Sequence, residues 1–301
     1  MKKNTKKIVT AAGIAAGTAA VASLYAYVTI KALIDTALDR EMPKVMEKAD
    51  KRISGEKSSD EFTNRMESAS ESLAVQPNET VEIIAHDGEK LVGHYFPCEK
   101  PERVIIAFHG WRSSWHRDFG MISDFWYKNN CSVLYVEQRG QNNSSGEYMG
   151  FGLTERFDCL DWLNWEIERC GSDIPVYLAG VSMGATTVLM AAGLQLPPNV
   201  HGIMADCGFT SANAIWEHIA KDNLHIRFGI RSAIADRMCR RKIQVGSKEH
   251  STVEALKHTH VPVILVHGAD DHFVPVEMTY ENYTACTAPK DLLIVPGADH
   301  G

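Results

Sequence analysis

Residues 178–185 read LAGVSMGA, with an apolar run before Ser182 and a helix-like run of small residues after it. A serine between a strand and a helix occupies a sharp, strained turn that lifts its hydroxyl above the sheet, and its neighbours two residues away must be small. Gly180 and Gly184 meet that requirement. The start of the helix also favours negative charge beside the serine. The stretch therefore predicts a serine hydroxyl presented at the carboxyl end of a buried strand.

Other short apolar runs predict the sheet around this turn. They occupy residues 103–110, 131–137, 175–181, 200–206, 261–268 and 291–297. Runs that are apolar on both faces fit a parallel sheet with both sides covered, and their alternation with helix-length stretches indicates an α/β fold. Residues 81–96 predict an antiparallel hairpin that turns at Asp87-Gly88.

The connection from Asp206 to Val261 is too long for a simple crossover. Residues 211–250 contain helical stretches, and such an insertion at the carboxyl ends of the strands predicts a small helical cap. Plain crossover helices are the alternative. Six apolar residues of the segment either line an acyl pocket or pack the cap onto the core: Ile215, Trp216, Ile219, Leu224, Ile226 and Phe228.

Composition argues against several functional classes. The chain has 301 residues, 45% of them hydrophobic, which is enough for a large core. Its net charge is −7, without a Lys/Arg block in the body, so nucleic acid is a poor partner. Seven cysteines with irregular spacing favour buried thiols over a disulfide framework. No Cys/His spacing indicates zinc.

The N-terminus differs from the rest of the chain. Four lysines in residues 1–7 precede an uncharged run from Ile8 to Ile30, long enough to cross a bilayer as a helix. We expect a basic segment and transmembrane anchor in residues 1–34. A signal peptide cleaved after Ala20-Val21-Ala22 and an Ala-rich soluble helix are the alternatives. Lysines on both sides of the run leave the orientation in the membrane open.

The rest of the chain divides into a linker and one domain. Residues 35–78 are charged and predict a linker or a pair of surface helices. Residues 79–301 then form the α/β domain, with the cap at about 211–250.

Acid and base candidates follow later strands. A serine hydroxyl needs a base, and the base needs an acid to orient it. In the order Ser…Asp…His, the acid follows a later strand and the histidine a still later one. Asp270 and Asp271 follow the run at 261–268, and His300 follows the last run. These positions lie at strand carboxyl ends, where open α/β sheets carry their sites.

The turn after residues 103–110 could supply backbone donors. His109-Gly110 forms the turn, and the next N–H, at Trp111, could face the serine. Together with the N–H of Met183 it would make an oxyanion hole, in which each donor contributes about 3 kcal/mol. We expect His109 itself to stabilise the turn.

Together these residues resemble the α/β-hydrolase superfamily, and more narrowly a bacterial group of membrane-tethered hydrolases in its serine aminopeptidase-like and acyl-hydrolase branches. The resemblance extends from about Val81 to the end of the chain. It rests on the motifs FHGW, EQRGQNNSSGEYMGFGLTERFDCLDW, LAGVSMGATTVLMA, ADCGFTSA and HGADDHFVPVEM.

The resemblance implies that Ser182 is the nucleophile, Asp271 the acid and His300 the base. The backbone N–H groups of Trp111 and Met183 would form the oxyanion hole. It further implies a serine hydrolase that cleaves an ester, thioester or amide of a small molecule, short peptide or acyl substrate, without a cofactor. A catalytically inactive, membrane-tethered binding module is the alternative.

Other residues compete for these roles. Asp270 and Asp206 are alternative acids, and Asp271 is preferred because its spacing to Val274-Pro275 matches the acid loop of the family. His267 and His272 are rivals to His300, but one lies in a family-like HG turn and the other directly beside the acid.

Two features depart from the family pattern. Gln141 stands where many relatives carry histidine. Relatives also continue past the catalytic histidine into a final helix, whereas the sequence ends at Gly301. The expected fold is therefore an α/β-hydrolase fold, a mostly parallel sheet flanked by helices with a small helical cap, with the final helix absent.

Overall fold

The computed structural model describes residues 21, 23–43, 60–229 and 231–301. Most of the predicted membrane-spanning run, residues 8–20 and 22, lies outside the described residues, and so do residues 44–59 of the predicted linker. Within the described residues, the strands are β1 (Glu79–Ile84), β2 (Lys90–Phe96), β3 (Arg103–Phe108), β4 (Cys131–Glu137), β5 (Val176–Val181), β6 (Val200–Asp206), β7 (Val263–Gly268) and β8 (Lys290–Val295).

Helices alternate with the strands along most of the chain. They are α1 (23–38), α2 (Asp60–Ala74), α3 (Trp115–Lys128), α4 (Glu155–Cys170), α5 (Met183–Ala191), α6 (Ala212–His218), α7 (Arg231–Ile243), α8 (Thr252–Leu256) and α9 (Val276–Ala285). A π-helical turn, Ile219–Asn223, continues α6. The segment between β6 and β7 thus contains helices, where the sequence predicts a cap.

The eight strands form one sheet in the order β1-β2-β4-β3-β5-β6-β7-β8. β1 and β2 pair antiparallel, and so do β2 and β4. From β4 to β8 every neighbouring pair is parallel. The predicted hairpin and the predicted mostly parallel sheet are both confirmed.

Different helices cover the two faces of the sheet. On one face, Trp115, Phe119 and Trp126 of α3 surround Tyr135 of β4 with ring centroids 5.5–6.1 Å apart. On the other face, α4 and α5 bury a larger cluster that includes the fully enclosed Trp162. Parallel strands that are apolar on both sides require this two-sided cover, because each uncovered face would expose apolar surface to water.

Cover of the α3 face is incomplete at one edge of the sheet. Ile264 of β7 and Leu293 and Val295 of β8 are 37%, 51% and 38% exposed. Alternate residues of β8 point the other way, and Leu292 packs against the cluster under α4 and α5. The last strand is therefore packed on one side only among the described residues.

Helix α1 packs on the domain near the cap. Ile30, Ile34 and Leu38 are fully buried in a cluster that also contains Met183 and Trp216. The C-terminal half of α1 therefore shares a core with the residues beside Ser182. No helix in the described part of the chain combines the length and apolar character needed to cross a membrane.

Trp162 tests the core beneath α4. Replacing it with alanine removes a fully buried ring that lies against Gly93 of β2, so we expect a loss of about 3–5 kcal/mol in the free energy of unfolding. Phe125→Ala is the control, because Phe125 is 60% exposed and its removal should change stability by less than about 0.5 kcal/mol. Urea unfolding measures both. Equal effects would contradict the packing described for Trp162.

Candidate active site

Ser182 occupies the turn between β5 and α5. Its backbone has φ +52° and ψ −113°, a conformation that is costly for a residue with a side chain. The Ser182 N–H donates to the carbonyl of Asp206 at 2.8 Å, which ties the turn to the end of β6. The strained turn predicted from the sequence is therefore present.

Two glycines allow the backbone to close at this turn. A Cβ placed on Gly184 would lie 1.8 Å from the carbonyl oxygen of Phe108 in β3. A Cβ placed on Gly180 would lie 2.3 Å from the backbone of Gly184. Helix α5 thus passes so close to the sheet that neither position has room for a methyl group.

Ser182, His300 and Asp271 form a continuous hydrogen-bonded chain. The His300 Nε2 lies 3.0 Å from the Ser182 Oγ, and its Nδ1 lies 2.7 Å from the Asp271 Oδ2. The three residues follow β5, β8 and β7, so the sheet brings them together at its carboxyl edge. Ser182 is only 6% exposed, but the His300 side chain is 23% exposed, so the group reaches solvent.

Asp271 is held from both carboxylate oxygens. Its Oδ1 accepts the backbone N–H groups of Phe273 and Val274, each at 2.8 Å. Burial alone would raise the pKa of Asp271, but hydrogen bonds from His267, from His300 and from the Val274 N–H hold that pKa well below its usual range. The carboxylate is therefore ionised at neutral pH and fixed in orientation.

His267 contacts the same carboxylate oxygen of Asp271 as His300 does. Its Nε2 lies 3.0 Å from the Asp271 Oδ2 and 2.9 Å from the Val274 carbonyl oxygen, and its Nδ1 lies 2.6 Å from the Thr279 hydroxyl. Burial lowers the pKa of His267, but the carboxylate of Asp271 outweighs burial and raises it. Sequence reasoning considered this residue only as a rival base. The available signal was its position four residues before Asp271.

The side chains of the other competing residues, Asp270, His272 and Asp206, take no part in the Ser182–His300–Asp271 hydrogen bonds. Asp270 and His272 are exposed, and the His272 N–H donates to the Asp299 side chain. Asp206 lies at the end of β6, where burial raises the pKa of its carboxyl. The backbone carbonyl of Asp206 accepts the Ser182 N–H and so holds the turn.

Backbone donors on the other side of Ser182 come from the turn after β3. The Gly110 N–H donates to Asp118 and the Arg112 N–H to Gln141, each at 2.6 Å. Between them, the Trp111 N–H has no acceptor among the described residues. Met183, as the first residue of α5, also has no acceptor one helical turn earlier. These are the two N–H groups that the sequence predicted as oxyanion donors.

Asp118 and Gln141 shape this turn by accepting its N–H groups, a role that sequence reasoning assigned to neither residue. Arg112 has φ +52°, and the Gln141 side chain holds its N–H in that conformation. The departure of Gln141 from the family histidine therefore has a structural role here. His109 is fully buried, and its ring is within hydrogen-bonding distance of the Gly110 carbonyl and the Gln138 N–H, as expected for a residue that stabilises the turn.

The apolar residues of the cap are mostly buried in packing. Ile215, Trp216 and Phe228 are at most 3% exposed and lie in the cluster that contains α1. Leu224 and Ile226 are partly buried against the same cluster. Of the two alternatives drawn from the sequence, these contacts favour packing over an open acyl pocket.

Two groups of described residues have the donor types that a metal ion would need, and both are occupied by other interactions. Cys207 joins Asp271 and His300, but burial raises the pKa of its thiol far above neutrality and the other two residues bond to each other. In the second group, His86 bonds to Asp161, and Asp158 pairs with Arg139. Neither arrangement indicates a metal site.

Comparisons with known proteins agree with this architecture. An esterase of Pyrococcus furiosus superimposes with a TM-score of 0.61 over 76% of this chain and 85% of that one, at 20% sequence identity. The chain has the α/β-hydrolase fold. The esterase Est1E of Butyrivibrio proteoclasticus, solved with ferulic acid, gives a TM-score of 0.58 at 19% identity over 73% of this chain and 90% of that one. An acylaminoacyl peptidase gives a TM-score of 0.55 at 16% sequence identity, over 74% of this chain and 37% of that one.

Relatives by sequence are themselves uncharacterised. YqkD of Bacillus subtilis is 24% identical over 212 residues, which are 69% of this chain and 67% of that protein. YfhR of Escherichia coli K12 is 23% identical over 231 residues, which are 74% and 73% of the two chains. No protein-family model matches the sequence.

Gly184→Ala tests the close approach of α5 to β3. Because the new methyl group would overlap the Phe108 carbonyl, we expect a loss of about 3 kcal/mol or more in the free energy of unfolding, or failure to fold. Gly88→Ala is the control: its φ of +96° strains an alanine, but no heavy atom lies within 4 Å, so the cost should be about 1–2 kcal/mol. Urea unfolding compares the two. A milder effect at Gly184 than at Gly88 would refute the predicted overlap.

Proposed function

We propose that this protein is a serine hydrolase that cleaves an ester, thioester or amide through an acyl-enzyme. The observation that carries the proposal is the Ser182–His300–Asp271 hydrogen-bonded chain, with its serine on a strained turn at the carboxyl edge of the sheet. The fold, which the protein shares with two esterases and a peptidase, supports the same class of reaction.

In the proposed mechanism His300 moves the proton and Asp271 orients His300. The Ser182 Oγ attacks the substrate carbonyl carbon while its proton passes to the His300 Nε2. Asp271 accepts a hydrogen bond from the Nδ1–H, which leaves Nε2 unprotonated to act as the base and then stabilises the imidazolium. The same proton goes from Nε2 to the leaving group when the tetrahedral intermediate collapses. Water then attacks the acyl-enzyme by the same two steps, which releases the carboxylic acid product and restores Ser182.

The oxyanion would be bound by the N–H groups of Trp111 and Met183. Support for this assignment comes from the neighbouring N–H groups, since those of Gly110, Arg112 and Ser182 already have acceptors. Donors without a protein partner beside a nucleophile can accept a developing negative charge without rearrangement, and one such donor is worth about 3 kcal/mol.

A catalytically inactive binding module is the competing function, and covalent labelling separates the two. A fluorophosphonate probe should label the purified protein on Ser182, because it reacts with a serine whose proton is removed by a base. Ser182→Ala should abolish labelling, whereas Ser172→Ala, at an exposed serine, should leave it unchanged. Absence of labelling in the folded wild-type protein would favour the binding module.

His300→Ala tests the base. We expect turnover of an ester that the wild type cleaves to fall by about 10⁴-fold, as when a member of a serine triad is removed. His272→Ala is the matched control, since His272 directly follows Asp271 but is exposed and takes no part in the hydrogen-bonded chain. Near wild-type rates for His300→Ala would show that another residue is the base. A panel of esters, acyl-CoA thioesters and aminoacyl amides then identifies the bond that is cleaved.

His267 acts, in this proposal, as a positioning residue for Asp271. Its removal leaves the buried carboxylate of Asp271 with one hydrogen bond fewer. We therefore expect His267→Ala to lower kcat by about 10- to 100-fold, which corresponds to the free energy of one hydrogen bond to a charged group. His267→Gln places an amide N–H near the Nε2 position and should restore part of kcat. Steady-state kinetics measure both, and KM should change little. Equal losses in the two variants would indicate a packing role instead.

A further inference from the structure

The two halves of α1 have different surroundings. Its C-terminal half is buried in the domain, but Leu24, Tyr25 and Val28 are 64%, 60% and 54% exposed, and Val21, a helical residue just before α1, is 70% exposed. Helical residues three and four positions apart lie on the same side, so these four form one apolar face. Grouped apolar side chains of this kind on a surface mark a site of interaction, because water does not favour them.

The buried half of α1 is fixed to the domain by polar contacts at its carboxyl end. The Trp111 indole N–H donates to the Ala37 carbonyl at 2.9 Å, and the Arg112 guanidinium donates to the carbonyls of Thr36 at 2.9 Å and Asp39 at 2.5 Å. Lys242 of α7 pairs with Asp35 at 3.1 Å and also with Asp39. A cation at the carboxyl end also complements the helix dipole. The C-terminal end of α1 is therefore fixed on the domain, and the exposed half of the helix extends from it.

The sequence before α1 indicates what covers the apolar face. The chain is uncharged from Ile8 to Ile30, and Lys2, Lys3, Lys6 and Lys7 precede that run. A second copy packed side by side would bring two groups of four lysines together, whereas anionic lipid headgroups attract them. Tyr25 and Tyr27 are both exposed, and tyrosine is enriched at the level of the headgroups in membranes.

We propose that the exposed half of α1 lies in a lipid bilayer that contains anionic lipids, and that its buried half holds the catalytic face beside that bilayer. With a rise of 1.5 Å per residue, the nine residues from Val28 to Ala37 set a separation of about 14 Å between the bilayer contact and the Trp111 turn. The inference concerns binding and does not depend on Ser182 being reactive.

Fluorescence quenching tests the proposal on the full chain. Tyr25→Trp places a tryptophan on the apolar face, and Tyr127→Trp places one on α3, where the native tyrosine is 72% exposed. Each variant is mixed with vesicles of phosphatidylcholine and phosphatidylglycerol in equal parts, with acyl chains either plain or brominated. After subtraction of the wild-type signal, we expect brominated chains to quench the added emission of Tyr25→Trp by several-fold and that of Tyr127→Trp hardly at all.

Two results would overturn the proposal. One is the absence of quenching in Tyr25→Trp while the protein floats with the vesicles, which would show that this face stays outside the lipid. The other is a dimer in sedimentation that shields Tyr25→Trp from the brominated chains, which would identify a second copy as the occupant. Because neither readout uses catalysis, a loss of fluorophosphonate labelling would leave this test unaffected.

Discussion

The close approach of α5 to β3 is the constraint on which the site depends. Gly184 packs against the Phe108 carbonyl, and this contact requires the chain to reverse within one residue after β5. Ser182 accepts the resulting positive φ, and the N–H of Met183 lies at the start of the helix. A wider turn would relieve the strain but would move the hydroxyl away from His300. The folded sheet therefore supplies the free energy that keeps this one residue strained.

A second constraint is electrostatic. Asp271 is buried, which opposes its charge, yet two histidines and two backbone N–H groups surround it. Four donors therefore fix the position of the carboxylate, and only one of them, His300, also contacts Ser182. His267, Thr279 and the Val274 carbonyl form a buried extension of the site that links it to α9. In the proposed mechanism, this support would keep the orientation of Asp271 fixed while His300 moves a proton.

Sequence reasoning recovered the parts of this arrangement that have local signatures. The strands, the hairpin and the strained serine turn all follow from apolar runs and glycine spacing, which are properties of neighbouring residues. Acid and base candidates followed from their positions at strand ends. The partners of the turn after β3, Asp118 and Gln141, could not be found in this way, because each acts across a distance in sequence through a single side-chain oxygen.

The placement of α1 was also beyond sequence reasoning. Its apolar residues are uniform along the run, and nothing in their order distinguishes those that enter the domain from those that remain outside. The difference arises because Trp111, Arg112 and Lys242 offer donors to the last turn only. Periodicity reports which side of a helix is apolar, but it does not report where a neighbouring surface ends.

The hydrogen bonds between α1 and the turn after β3 have a mechanical consequence. A pull on the N-terminus would act on α1, which is joined to this turn by the carbonyls of Thr36 and Ala37 through Arg112 and Trp111. The turn that carries the Trp111 N–H would therefore bear part of the tension, together with the contacts of the buried Ile30 and Ile34. This turn packs against Ser182, since a Cβ placed on Gly110 would lie 3.5 Å from the Ser182 Cβ, so a load on α1 would be borne next to the candidate site.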